Sequence, residues 1–134
     1  MAKRLLCLDV GERRIGVAVA DVAIKIALPL TTIEVDGNEI AEIAKLYLME
    51  KADTIIVGYP RNQQGEPTQQ TDFVEEFVVP LREFATIVFQ DESLTSVQAE
   101  QRLQQRRAPY TKGDIDAEAA AIILQDYMES EYGY

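Results

Sequence analysis

Apolar positions along the chain follow two rhythms. Residues 3–9 (KRLLCLD) form a short apolar run closed by a carboxylate, which predicts a buried strand ending in Asp9. The following segment, VGERRIG, has glycines at Gly11 and Gly16 that suit a turn. Ile15, Val17 and Val19 then alternate with Gly16, Ala18 and Ala20, a strand with branched residues on one face and small ones on the other, packed closely against something. A third strand over Ile26–Ile33 contains Pro29, which suits a sheet edge. Residues 53–58 (DTIIVG) and 85–89 (ATIVF) read as two more buried strands.

Helical spacing fills the intervals. Asp36, Gly37 and Asn38 mark a turn and a helix start, after which Ile40, Ile43, Ala44 and Tyr47 share one face. A polar loop, YPRNQQGEPTQQ, precedes a helix that buries Phe73, Val74, Phe77, Val78 and Leu81, and Pro80 kinks or shortens it. Thr95–Ser96–Val97–Gln98 has the form of a capping box, so a helix starts there and ends by Pro109 and Gly113. A last helix is expected over about 114–130, with Ile115, Ala119, Ile122, Ile123 and Tyr127 inward and Asp114 as its N-cap. The short first connection makes its strands antiparallel, and helical crossovers make the later ones parallel. The expected architecture is α/β: one domain over 1–134, with a mixed five-stranded sheet and helices on both faces.

Composition narrows the chemistry. With no histidine, the chain cannot build serine–histidine or cysteine–histidine catalysis, and most zinc sites are excluded. Any metal must be a hard cation on oxygen ligands, such as magnesium or manganese. The single cysteine, Cys7, sits in an apolar run and reads as a core residue, which fits a reducing cytoplasm. No apolar run approaches bilayer length, and the N-terminus lacks the features of a signal peptide, so neither a membrane nor export is expected.

Carboxylates supply the candidate site. Asp9 ends the first strand, and Asp91 and Glu92 end a later one, at the edge where open α/β sheets bind ligands. Neighbouring strand residues point to opposite faces, so only one of Asp91 and Glu92 should turn inward. Asp116 lies early in the last helix on the side continued by Ala119, Ala120 and Ile123, so it faces the protein. Three gathered carboxylates repel one another, and a divalent cation relieves that cost. Two such ions about 4 Å apart would stabilise the attacking and leaving oxygens of a phosphodiester displacement, with bound water as nucleophile.

Four segments together resemble the YqgF (RuvX) family. LCLDVGERRIGVAVAD is similar to its opening motif, VGYPRNQQGEPTQQT to its "VGLPxNxxG…QT" loop, DESLTSVQAE to its "DERLTTxEAE" segment, and IDAEAAAIILQDYM to its "IDAxAAxxILQxYL" helix. They occur in family order over almost the whole chain. The resemblance implies a ribonuclease-H-like fold and a nuclease acting on the 5′ end of pre-16S rRNA in ribosome biogenesis; the family is also compared with Holliday junction resolvases. By motif position, Asp9 carries over as the first-strand carboxylate, Asp91 or Glu92 as the second and Asp116 as the last-helix one. The implied metal ligands are Asp9, Glu92 and Asp116. The chain departs from the pattern at Ser93, where the family has arginine, and at Tyr59, where it has leucine; Arg61 is a candidate replacement charge.

The net charge of −10 argues against phosphate binding, yet the cations are clustered. Arg13 and Arg14 follow Asp9, while Arg102, Arg106, Arg107 and Lys112 flank the approach to Asp116, with Tyr110 among them to stack on an unpaired base. The candidate substrate-binding residues are therefore Arg13, Arg14, Arg61, Arg106, Arg107 and Lys112, and the candidate substrates are RNA or branched DNA. Three other functions compete. The DVG opening resembles the phosphate loop of the sugar-kinase, Hsp70 and actin superfamily, but the chain is far shorter and has no second loop. A non-catalytic RNA- or ribosome-associated factor fits the acidic charge and Ser93. A DNA junction resolvase would need a homodimer.

Overall fold

The computed structural model describes residues 3–62, 64–92 and 95–133. Five strands form one sheet in the order β3-β2-β1-β4-β5: β1 (Arg4–Val10), β2 (Arg14–Asp21), β3 (Ile26–Glu34), β4 (Thr54–Pro60) and β5 (Thr86–Glu92). The β1–β2 and β2–β3 pairs are antiparallel, and β4 lies parallel to both β1 and β5. The helices are α1 (Glu39–Met49), α2 (Gln69–Phe77), α3 (Thr95–Gln105) and α4 (Lys112–Tyr132), with a 3-10 turn at Pro80–Glu83. This is the mixed five-stranded α/β architecture that the apolar rhythm predicts.

Alternation along the strands sorts two cores. Leu6, Leu8, Ile15, Val17, Ile55 and Val57 face α1, α2 and the 3-10 turn, burying Ile43, Val74 and Leu81. Leu5, Cys7, Ala18, Ala20 and Ile56 face α4, meeting Ala120, Ala121, Ile123 and Leu124. The small residues of β2 thus mark the face on which α4 approaches. Helix α3 packs on α4, through Ala99 against Ala119 and Ile122.

Pro29 stands on the edge strand β3, paired with Ala18. There the register shifts: Val17 pairs with Thr31 and Ala18 with Pro29, leaving Leu30 extra, a bulge that suits a residue without an amide hydrogen. Pro80 begins its 3-10 turn just after α2 ends, as its missing N–H requires.

Several expectations need correction. Gly16 is not a turn residue: it lies inside β2 opposite Asp9. Gly113 does not end α3, which stops at Gln105, but stands in the first turn of α4. Asp114 is not the N-cap of α4. Thr111 is, and its hydroxyl accepts from the Asp114 N–H while the Asp114 carboxylate accepts from the Thr111 N–H. Ser93 and the side chains of Thr95 and Ser96, to which one departure from the family pattern and one capping box were assigned, lie outside the described residues.

The "VGLPxNxxG…QT"-like loop closes on itself. Asn62 Oδ1 accepts from the amides of Gln64 and Glu66, Gly65 takes a positive φ of 80°, and the Thr71 hydroxyl donates to the Pro60 carbonyl. The Gln70 side-chain amide donates to the Val10 carbonyl at 3.3 Å, tying α2 to the end of β1.

Candidate active site

The site forms where one row of residues crosses the sheet beneath α4. Thr32 of β3 pairs with Gly16 of β2, and Gly16 with Asp9 of β1. On the other side of Asp9, β4 brings Gly58, one residue beyond the Leu8–Val57 pair, and Gly58 pairs with Gln90. Asp9 is therefore the one acidic side chain of this row, flanked by two glycines.

Each glycine makes room for a particular group. A Cβ at Gly16 would lie 1.9 Å from the Asp116 carbonyl oxygen, so only glycine lets α4 come this near. A Cβ at Gly58 would lie 2.7 Å from Glu92 Oε2 and 2.9 Å from Ile123 Cδ1, so the missing side chain is what admits Glu92 beside Asp9. Gly11 has another role, in the β1–β2 turn, where its amide donates to the Arg14 carbonyl at 3.0 Å.

Glu92 is the member of the β5 pair that turns in. Its charge and that of Asp9 act on each other directly. Burial pushes the Glu92 carboxyl up to about 8, with repulsion from Asp9 and a hydrogen bond to it adding to the rise. Burial also raises Asp9 to about 6; the hydrogen bond from Glu92 opposes the rise and the charge of Asp116 adds to it. Both shifts favour retention of one proton by the pair near neutral pH. Glu92 Oε2 is buried and has no hydrogen-bond partner among the described residues.

Asp91 is corrected as a member of this site. Its side chain is 66% exposed and pairs with Arg61 at 3.4 Å, because successive residues of β5 point to opposite faces. Arg61 also stacks on Tyr59, 4.9 Å from the ring centroid, and Tyr59 packs on Phe89. Arg61 therefore belongs with Asp91 and not with the Asp9–Glu92 pair.

Asp116 reaches the site from α4, and its carboxylate accepts a 2.6 Å hydrogen bond from Arg14 Nε. Among the described residues, no group of three acidic, cysteine or histidine side chains is close enough to hold a metal ion. The donor set that fits a hard divalent cation is the Asp9–Glu92 pair: two oxygen ligands, one with a buried oxygen left without a partner, and a mutual repulsion that a cation removes. Asp116 stands next to this pair, bound to Arg14.

The remaining candidate cations divide. Arg102 and Arg106 both bond Glu118 Oε1, at 3.0 and 3.2 Å, and Glu118 is only 1% exposed. Arg13, Arg107 and Lys112 are exposed and make no ion pair among the described residues. Glu118 was missed in the sequence because an acidic residue in the run DAEAAAI reads as solvated; only the packing of α3 on α4 shows that it faces two arginines.

Comparison with known proteins gives a consistent group. The family described as "RuvX: Holliday junction resolvase" matches residues 3–130. A protein of Chloroflexus aurantiacus named "Putative pre-16S rRNA nuclease" is 42% identical over 132 residues, covering 94% of this chain and 86% of that protein. One of the same name from Caldanaerobacter subterraneus subsp. tengcongensis is 42% identical over 138 residues, covering 96% and 97%. Among solved structures, T. thermophilus RuvC in complex with a Holliday junction substrate superposes with a TM-score of 0.59 at 15% identity, covering 98% of this chain and 96% of that one. The Fowlpox virus resolvase bound to Holliday junction DNA gives 0.57 at 15% identity, covering 97% and 98%. The fold is thus that of the RuvC-like, ribonuclease-H-like resolvases. No described helix is long and apolar enough to cross a membrane.

Proposed function

Because the chain belongs to the RuvX family of Holliday junction resolvases, we propose that it is a divalent-metal-dependent nuclease that hydrolyses phosphodiester bonds in the 5′ region of pre-16S rRNA. The observation that carries this reading is the half-buried Asp9–Glu92 pair at the carboxyl edge of the sheet, with Glu92 Oε2 buried and unpartnered among the described residues. The names of relatives with about 42% identity point to the RNA substrate. A cytoplasmic location goes with it.

Asp9 and Glu92 would hold magnesium or manganese, with Asp116 beside them. When bound, the ion polarises the phosphoryl oxygens and makes water a better nucleophile. The protein's own residues set the stage. Glycine at 58 leaves room for Glu92, and glycine at 16 lets the Asp116 turn of α4 rest on β2 beside Asp9. Loading the pair requires loss of their shared proton, so binding strengthens as pH rises. Arg14 orients Asp116 and stands at the same rim, where a phosphate would meet its guanidinium. Of the candidate cations, Arg13, Arg107 and Lys112 are exposed and would steer a polyanion towards an otherwise acidic molecule.

A second reading, cleavage of branched DNA by a homodimer, is favoured by the family description and by the two resolvase structures. One assay separates the two: cleavage of single-stranded and structured RNA and of a four-way DNA junction, with magnesium, manganese or chelator. The RNA reading expects metal-dependent RNA cleavage that is lost in Asp9→Asn and Glu92→Gln. Junction cleavage alone would transfer the activity to DNA. Binding of RNA with no cleavage under any metal would make the protein a non-catalytic RNA-associated factor.

A further inference from the structure

A cavity lies across α4 from Asp9, whose residue row is covered by the α4 main chain at Gly16. Thr32, two strands away on the same face, lines an opening of about 540 Å³ between β3, the α3–α4 connection and the first turns of α4. Strands lie about 4.8 Å apart, so this wall is about 10 Å from Asp9. A strand bound at Asp9 reaches it by passing the start of α4, where Thr111, Gly113 and Asp114 line the opening.

The walls suit a flat aromatic guest. Pro29 and Leu30 of β3 supply one apolar surface, and Pro109 and Tyr110 of the connection another. The Tyr110 hydroxyl donates to Glu100 Oε2 at 3.1 Å and accepts from Gln104 Nε2 at 3.4 Å, which tethers the ring to α3. Arg106 lines the cavity with its guanidinium fixed on Glu118 Oε1. The exposed Arg107 lies within this connection and the exposed Lys112 begins α4, where they can meet flanking phosphates. The volume is that of a small-molecule site, which commonly measures about 300–1,000 Å³.

We propose that this cavity takes one unpaired nucleobase of the strand bound at Asp9, stacked against Tyr110. The assignment to that strand rests on the nuclease reading above. Stacking accounts for an aromatic ring held in place, and the cavity's fixed place relative to the carboxylates accounts for the register: one base of the strand is drawn out while the reacting phosphate stays at the carboxylates.

The test is a binding experiment in chelator with the full chain. A short single-stranded RNA carries 2-aminopurine at successive positions, and a parallel series carries an abasic nucleotide at each. One position should show quenched 2-aminopurine fluorescence, and its abasic counterpart should bind about 5- to 100-fold more weakly. Tyr110→Phe should keep the positional effect. Tyr110→Ala, which removes the ring, and Ala108→Trp, which fills the cavity from an exposed lining position, should both lose it while circular dichroism stays native. Equal affinity across the abasic series, or no RNA binding, would overturn the proposal. A free nucleoside monophosphate bound as tightly as the RNA would overturn the assignment to the substrate strand. Positional stacking without metal-dependent cleavage would remove the nuclease reading and leave the base pocket; cleavage without any positional effect would do the reverse.

Discussion

The shared proton of Asp9 and Glu92 makes the metal-free protein less stable as pH rises, and the size of the effect can be worked out. Glu92 titrates near 4.5 when unfolded and near 8 when folded. Below pH 4.5 both states hold the proton, so folding carries no penalty from this group. Between 4.5 and 8 the folded state binds more protons than the unfolded one, so stability falls with pH. Above 8 the loss is complete. The full rise corresponds to at most about 5 kcal/mol. Partial solvent access and relaxation around the pair reduce this, and a loss of about 2 kcal/mol is expected, or roughly 6–10 °C in Tm for a chain of this size. The assay is thermal unfolding in chelator from pH 5 to 9, comparing the wild type with Glu92→Gln. The variant should lack most of the decline and should be the more stable protein at pH 8 to 9. Parallel profiles for the two proteins would refute the reasoning, because they would mean that Glu92 ionises in the folded state without cost.

Four further outcomes follow from the same geometry. Manganese affinity, measured by calorimetry, should rise up to about tenfold per pH unit between pH 6 and 8, as expected where binding expels one proton; a flat profile would separate the metal from this pair. Gly58→Ala should cost about 1–3 kcal/mol and slow cleavage, because its methyl would meet Glu92 and Ile123; a variant as stable and as active as wild type would contradict this. Arg14→Ala should lower Tm by only a few degrees, since a solvent-screened pair adds little to stability, yet weaken RNA binding about tenfold; undiminished binding would leave Arg14 as a structural tie. Cys7 should resist thiol reagents until the protein unfolds, since it is buried and burial pushes its thiol up; rapid modification of the folded protein would show β1 to be accessible.

Strand and helix placement were legible because the apolar rhythm changes from two to about three and a half residues at each crossover, and because β2 separates branched from small residues so cleanly. The inward turn of one member of the Asp91–Glu92 pair also followed from alternation alone, although which member did not. That choice depends on Gly58, a neighbour across the sheet that no local pattern identifies. Gly16 was misread because a glycine near a turn and a glycine beneath a crossing helix look alike until the helix is placed. The basic run from Arg102 to Lys112 looked like one surface. Half of it is spent on Glu118, a partner twelve and sixteen positions away on another helix, and such pairings leave no trace in sequence spacing.

The contact at Gly16 has a mechanical meaning. There the main chain of α4 rests on the main chain of β2 with no side chain between them. Side chains can cushion a shift by changing rotamer, and bare backbone cannot. Any push on the start of α4, whether from a guest beside Tyr110 or from a tug on Arg14, is passed undamped to the strand next to Asp9. The two ends of a bound strand would feel each other through this stiff joint.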